Sequence, residues 1–303
     1  MSLARWTSQI KNARWTWDDT VSLGQLKHLR TLLNEIIPSK TWTLYGTSLL
    51  FNNQTNASLG LDGYDNYQAP QENGKQLFDR RMWVSGSLKF WNTPRIGESL
   101  RCVERVQLVR RVGDSVFVAV LRETRKLDFD SEVEGGSVKV GNERTGDVIV
   151  SELRSLVYKW RADVSEKPNS ETSENIETSS PVASKEPDPD ASTELTISAS
   201  QVSRFSALQY NLHKIHYNRD YCLSEGLSDV IVLGPMLVNI MLHYLALRYP
   251  KAVIELFSYR MSEPCYVDRP LRISMENGEK SVEIAVWEGS KKLCNGTARR
   301  PSS

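Results

Sequence analysis

The chain has almost no excess charge: 38 Lys and Arg stand against 37 Asp and Glu, a formal net charge of +1. Without a global field of either sign, nothing favours nucleic acid or an anionic membrane surface, and neither is expected as a partner. Cysteine is scarce and scattered. Cys102, Cys222, Cys265 and Cys294 form no CxxC or Cys/His pattern, so no zinc site, redox pair or other metal centre is expected. They read as reduced structural thiols, none beside a base in sequence. Long apolar runs are lacking too. The nearest, Val230 to Leu247, is split by Gly234-Pro235 and carries Asn239 and His243. A short β-like run, Val230 to Leu233, followed by a buried helix from Met236 fits it better than a membrane span.

What is present is enough for two ordinary domains: 303 residues, 40% of them hydrophobic. Residues 1–14 carry Arg5, Lys11 and Arg14 with no acid; a mitochondrial presequence and an ordinary frayed terminus both fit this composition. Ser22 and Gln25 have the spacing of a capping box. Behind them Leu23, Leu26, Leu29, Leu32, Leu33, Ile36 and Ile37 follow helical spacing until Pro38 stops the helix. From Trp42 to about Arg80, Asn, Gly and Gln clusters predict a long structured loop region.

Strand signals dominate from Met82 to Trp160, with strands at Trp83 to Trp91 and Ser99 to Val109, a Gly113-Asp114 turn, and the alternation Val116, Val118, Val120. Residues 161–194 are rich in Ser, Glu, Pro and Thr and poor in large apolar side chains, the composition of a flexible linker. Beyond it the signals repeat: a strand at Phe257 to Met261, a turn at Tyr266 to Pro270, a strand at Leu271 to Met275, an Asn277-Gly278 hairpin turn, and Val282, Ile284, Val286. The expected division is therefore 1–14, 15–160, 161–194 and 195–303, with the second and fourth segments built alike. The helix after Gly234 is apolar nearly all round, so it must be enclosed. A curved antiparallel sheet wrapped round one central helix encloses it. The expected fold is thus α+β, a double hot dog of two curved antiparallel sheets, at least one wrapped round a long central helix.

Two segments stand out for chemistry: FSALQYNLHKIHYN, Phe205 to Asn218, and VIVLGPML, Val230 to Leu237. The first resembles the motif D-x-N-P-I-H-x-D of the MaoC-like, hydratase-2 class. Asn211 takes the Asp position, His213 and Lys214 the Asn-Pro positions, Ile215 the Ile, His216 the catalytic His and Asn218 the final acid. These departures match one subgroup, the fungal and animal mitochondrial hydroxyacyl-thioester dehydratases of type 2 and their bacterial relatives. RRMWVSGSLKFWNTPRIGESL, Arg80 to Leu100, and DGYDNYQAP, Asp62 to Pro70, resemble theirs as well.

The resemblance implies reversible dehydration of (3R)-3-hydroxyacyl thioesters held on acyl carrier protein, in mitochondrial fatty acid synthesis in the matrix. It implies no cofactor, a non-catalytic first hot dog, and possible pairing of the double hot dog into a homodimer. Such chemistry needs a base for the C2 proton, an acid for the leaving hydroxyl and donors for charge on the thioester oxygen. His216 suits both proton transfers near neutral pH, and Asn211 can hydrogen-bond the hydroxyl but cannot take its proton. The Gly234 N–H, at the positive end of the buried helix, is the expected oxyanion donor, with Pro235 giving up no needed donor beside it. His213 and Tyr217 either line the pocket or pack. Arg81, with Arg80, Lys214 and Arg219, meets a pantetheine phosphate or an acidic carrier, or forms a solvated basic surface. Three competing functions stay open: a hydratase acting on coenzyme A thioesters, a non-catalytic acyl-binding module, and a thioesterase. The last is disfavoured by the lack of Asp or Glu between Met236 and Tyr249.

Overall fold

The computed structural model describes residues 3–53, 59–134, 137–160 and 192–301. The expected linker lies outside the described residues up to 191, and its last three positions, 192–194, are already strand.

The first half runs α1 (Leu3–Asn12), β1 (Trp15–Thr20), α2 (Leu23–Ile36), a small hairpin of β2 (Gln71–Glu72) and β3 (Lys75–Gln76), then β4 (Arg80–Phe90), β5 (Ser99–Val112), β6 (Ser115–Glu134) and β7 (Ser137–Lys159). The second runs β8 (Ser192–Leu195), α3 (Ala199–Leu208), α4 (Arg219–Ser224), α5 (Gly234–Arg248), β9 (Leu256–Met261), β10 (Leu271–Asn277), β11 (Ser281–Glu288) and β12 (Lys291–Arg299). Ten strands join in one sheet, ordered β1-β5-β6-β7-β4-β9-β12-β11-β10-β8. Read outward from the β4–β9 seam, which is antiparallel, the two sides have matching orders: β4, β7, β6, β5, β1 answer β9, β12, β11, β10, β8. The repeat inferred from turn and strand signals is thus a repeat of strand order.

The Val230–Leu233 run makes only an isolated bridge, Ile231 to Tyr266, rather than a strand. The turn expected at Asn277-Gly278 is a three-residue connection closed by Gly278 N–H to the Ser281 carbonyl at 2.8 Å.

α5 lies in the core of the second half, every residue from Pro235 to Ala246 buried. Two of its polar groups find backbone acceptors: Asn239 Nδ2 donates to the Pro235 carbonyl at 3.0 Å, and His243 Nε2 to the Ile37 carbonyl at 2.9 Å. β12 approaches the helix so closely that a Cβ at Gly296 would collide with Phe257 and crowd Met241. α2 adds Leu26, Leu29, Leu32, Leu33 and Ile36 to the same core. Ser22 caps α2 by accepting from the Gln25 N–H at 3.4 Å, but the capping box is only half made, because the Gln25 side chain donates instead to the Leu50 and Leu208 carbonyls.

Among the described residues the strands of the first half enclose no long helix. Their inward row contains charge: Glu104, Arg122 and Glu152 stand directly opposite one another across β5, β6 and β7. Arg122 donates to Glu104 at 2.8 Å, to Glu152 at 3.1 Å and to the Asn52 carbonyl at 2.6 Å, and Arg154 clasps both oxygens of Glu152 at 2.7 Å. Burial opposes the charge on Glu152, but Arg154 and Arg122 outweigh it and hold its carboxyl below the usual range.

Residues 3–12 form α1. α1 packs Trp6 and Ile10 into a second apolar cluster with Val106, Val116, Val118 and Val120. Trp6→Ala is expected to cost about 3–5 kcal/mol, seen as a lower urea midpoint at unchanged slope. Arg122→Met leaves the buried Glu104 carboxylate without its cation and is expected to cost about 3–5 kcal/mol; a loss below about 1 kcal/mol in the same titration would show that the ladder is not closed.

Candidate active site

α3 begins at a complete capping box, Ser198 with Gln201, and carries Phe205 into the core. Behind it the chain turns sharply: Tyr210 takes φ +50°, a strained value for a residue with a side chain. The segment then enters a short 3-10 turn, Lys214–His216, and Asn218 accepts from the Tyr221 N–H at 2.9 Å to start α4. Asn218, at the position of the motif's final acid, is therefore a helix cap.

His216 is buried at 9% exposure, its Nδ1 2.8 Å from the Ile231 carbonyl. A carbonyl only accepts, so Nδ1 carries the proton and Nε2 is the basic nitrogen of the neutral ring. The Ile231 N–H in turn donates to the Ile215 carbonyl at 3.1 Å, so the turn and the strand-like segment leading into α5 hold each other in both directions. Burial first, then the nearby His213, pull the His216 imidazolium down to about 3, against the Ile231 carbonyl, which favours the charged ring. Cys222 lies beneath, its thiol on the Ile215 carbonyl at 3.2 Å and pushed up by burial to about 11, an unreactive thiol as expected.

Asn211 is half-buried, and its Oδ1 is enclosed with no hydrogen-bond partner among the described residues. Gly234 and Pro235 open α5. The first intrahelical bond runs from the Leu237 N–H to the Leu233 carbonyl at 3.1 Å, leaving the Gly234 and Met236 N–H groups without intrahelical acceptors. A methyl group on Gly234 would stand 3.4 Å from the Trp83 ring. Trp83, from β4 of the first half, donates to the Tyr259 hydroxyl at 3.0 Å and lies under the Arg154 guanidinium at 4.7 Å.

The remaining expected residues divide. His213 is buried beside His216, ring centroids 5.8 Å apart, and Tyr217 is 44% exposed. Arg81 is buried, with donors engaged by Asp62 at 2.6 and 3.0 Å and by the carbonyls of Asp65 and Tyr64 at 2.5 and 3.3 Å. That commitment replaces the expected phosphate contact with a structural role. Arg80 and Arg219 are paired with Glu225 and Asp229. Sequence reasoning named no role for Asp62, Trp83 or Arg154. The readable signal for Arg154 was charge in the inward row of an alternating strand, whereas Asp62 gave only its place in DGYDNYQAP. Among the described residues no cluster of His, Cys, Asp or Glu could hold a metal ion, and no helix is long and apolar enough to cross a membrane.

The sequence model of one family, hydroxyacyl-thioester dehydratase type 2, matches residues 46–267, well over half of the chain and including both halves of this site. The chain belongs to the type 2 hydroxyacyl-thioester dehydratases. A mitochondrial member from Schizosaccharomyces pombe is 28% identical over 227 residues, 72% of this chain and 71% of that one. A mesaconyl-C(4)-CoA hydratase of Chloroflexus aurantiacus is 39% identical over 79 residues, 25% of this chain and 28% of that one. In fold, a MaoC-like dehydratase from Phytophthora capsici superposes with a TM-score of 0.66 at 13% identity, covering 98% of both chains. A Mycobacterium tuberculosis protein described as a double hotdog superposes at 0.52 and 13% identity, covering 96% of each. The double hot dog expected from the sequence is the fold of this dehydratase, and the chain is a hydro-lyase, an enzyme that removes water from a hydroxyacyl thioester.

A base acts when unprotonated, and the lowered His216 value keeps the ring neutral through mild acid. With His216 as the acid–base residue proposed below, the acidic limb of kcat/KM is expected well below 6.5. The linked effect on stability has a definite sign. Between 6.5 and about 3 the unfolded chain takes up a proton that folded His216 refuses, so stability falls as pH is lowered through that window. A limb at or above 6.5, measured with an enoyl thioester, would contradict the buried neutral ring.

Proposed function

We propose that the chain interconverts (3R)-3-hydroxyacyl and trans-2-enoyl thioesters, with His216 as the acid–base residue. Nε2 of His216 takes the C2 proton as the C3–O bond breaks, and the same nitrogen returns a proton to the departing hydroxide as water. Asn211 Oδ1, enclosed and unpaired, accepts a hydrogen bond from the C3 hydroxyl and orients it. The Gly234 N–H, backed by the positive end of α5, receives the thioester oxygen as negative charge develops there. The observation that carries this reading is the Nδ1 contact to the Ile231 carbonyl. It fixes the tautomer that leaves Nε2 basic, and Ile231 stands only three residues before Gly234.

Acyl carrier protein is the proposed holder of the substrate, and mitochondrial fatty acid synthesis in the matrix the proposed setting. The S. pombe relative, whose name includes its mitochondrial location, supports this. Hydration of coenzyme A thioesters is a second reading, favoured by the name of the C. aurantiacus relative; one site catalyses both directions. His213 and Tyr217 are the proposed residues of the pocket edge, and Pro235 is proposed to shape the helix entry.

In a spectrophotometric assay of a (2E)-enoyl thioester on carrier protein and on coenzyme A, wild type is expected to turn over. His216→Ala should lose about a hundredfold or more in kcat with its fold kept. Equal rates in the two proteins would remove His216 from the chemistry.

A further inference from the structure

The loop Gly60 to Asp65 of the first half wraps the turn that bears His216. The Asp62 carbonyl accepts the Lys214 N–H at 2.8 Å, Lys214 Nζ donates to the Leu61 carbonyl at 2.7 Å, and a Cβ at Gly63, with φ +78°, would press on the Leu212 carbonyl at 3.1 Å. At the centre of this contact is the Asp62 carboxylate, 1% exposed and held by Arg81 through both oxygens. His213 Nε2 lies 3.1 Å from Asp62 Oδ2, in contact with the carboxylate although its N–H is off the line of a good hydrogen bond. The other ring nitrogen, Nδ1, accepts the Ile215 N–H at 3.2 Å. Nδ1 is therefore the unprotonated nitrogen and Nε2–H faces the carboxylate. Both nitrogens of His213 are thus taken up by the protein, which leaves neither for substrate.

We propose that Asp62 is a positioning residue for the reaction: acting through His213, it fixes the 213–216 turn and with it the tautomer and direction of the His216 ring. The connection is continuous. Asp62 holds His213, and His213 receives the Ile215 N–H. The Ile215 carbonyl receives the Ile231 N–H, and the Ile231 carbonyl holds His216 Nδ1. The His213 carbonyl also accepts the His216 N–H at 3.0 Å. Arg81 keeps Asp62 charged and immobile: burial opposes ionisation, but His213 and Arg81 together hold the carboxyl well below the usual carboxylate range. The arrangement gives the first half, which supplies no acid or base, a direct part in catalysis, and it moves His213 from pocket lining to support. It rests on His216 being the acid–base residue.

The test compares two substitutions that leave the Arg81–Asp62 pair intact. His213→Asn keeps an acceptor near the Nδ1 position but is too short to reach Asp62; His213→Gln restores a donor near the Nε2 position. With only four histidines in the chain, nitrogen NMR of histidine-labelled protein reads the His216 tautomer directly. The expected result for His213→Asn is a kcat lower by about ten- to hundredfold, the effect of a misplaced catalytic group, with KM within about twofold. His216 should then show a mixture of Nδ1–H and Nε2–H forms, and His213→Gln should recover part of both losses. A folded His213→Asn that retains the pure Nδ1–H tautomer overturns the proposal. Failure of the reading of His216 as the acid–base residue would appear separately, as a His216→Ala that turns over like wild type, and the tautomer comparison would still decide the role of Asp62.

Discussion

A helix that is apolar on every side must be enclosed, and the rest of this molecule follows from that constraint. α5 has no face to present to water, so β9 to β12 close around it, and Gly296 gives up its side chain to let the strand come near. Enclosure buries the helix body but not the need of its first turn for partners. Those free N–H groups open beside Trp83 of the first half, and the Ile231 segment that leads into them holds His216. The proposed site lies where the free N–H groups at the start of α5 come near the segment that holds His216.

The two halves are alike in strand order but not in content. Where the second half has a helix, the first has an ion ladder of Glu104, Arg122, Glu152 and Arg154, closed further by Tyr67 on Glu104 at 2.5 Å and by Gln68. Buried ion pairs contribute little net stability against well-packed apolar side chains, but breaking one is costly. Such a ladder fixes geometry more than it adds free energy. Arg154 contacts Trp83, and the Arg81–Asp62 pair stands against the turn that bears His216. On the proposed reading of the site, the first half acts as a support for chemistry carried out by the second.

The parts of this structure that depend on local pattern were legible in the sequence. Alternating Val116, Val118 and Val120 made a strand, and the apolar run after Gly234 made the buried helix. What depended on partners far along the chain was not. β1 exists because residues 15–20 pair with Thr20 opposite Ser99 and Trp15 opposite Glu104, and nothing in WTWDDT announces that partner. Gln25 looked like half of a capping box but found better acceptors in Leu50 and Leu208. Arg81 looked like a surface cation until Asp62, Tyr64 and Asp65 surrounded it, and Asp62 gained its meaning only when the fold brought it beside His213. Positions that carry charge in an otherwise apolar inward row, such as Arg122, are the signal that a closer reading of the strands would have caught.

The central claim is that this site adds and removes water across C2 and C3 of an acyl thioester, with His216 moving the C2 proton. Hydration of a (2E)-enoyl thioester in deuterium oxide, followed by mass spectrometry and chiral analysis of the product, tests it most directly. The account predicts an intact thioester with one deuterium fixed at C2 and a single (3R) hydroxyl configuration, neither of which forms in His216→Ala on the same timescale. Release of free thiol by hydrolysis without addition of water across C2 and C3, or a racemic product formed equally fast in the mutant, would contradict it.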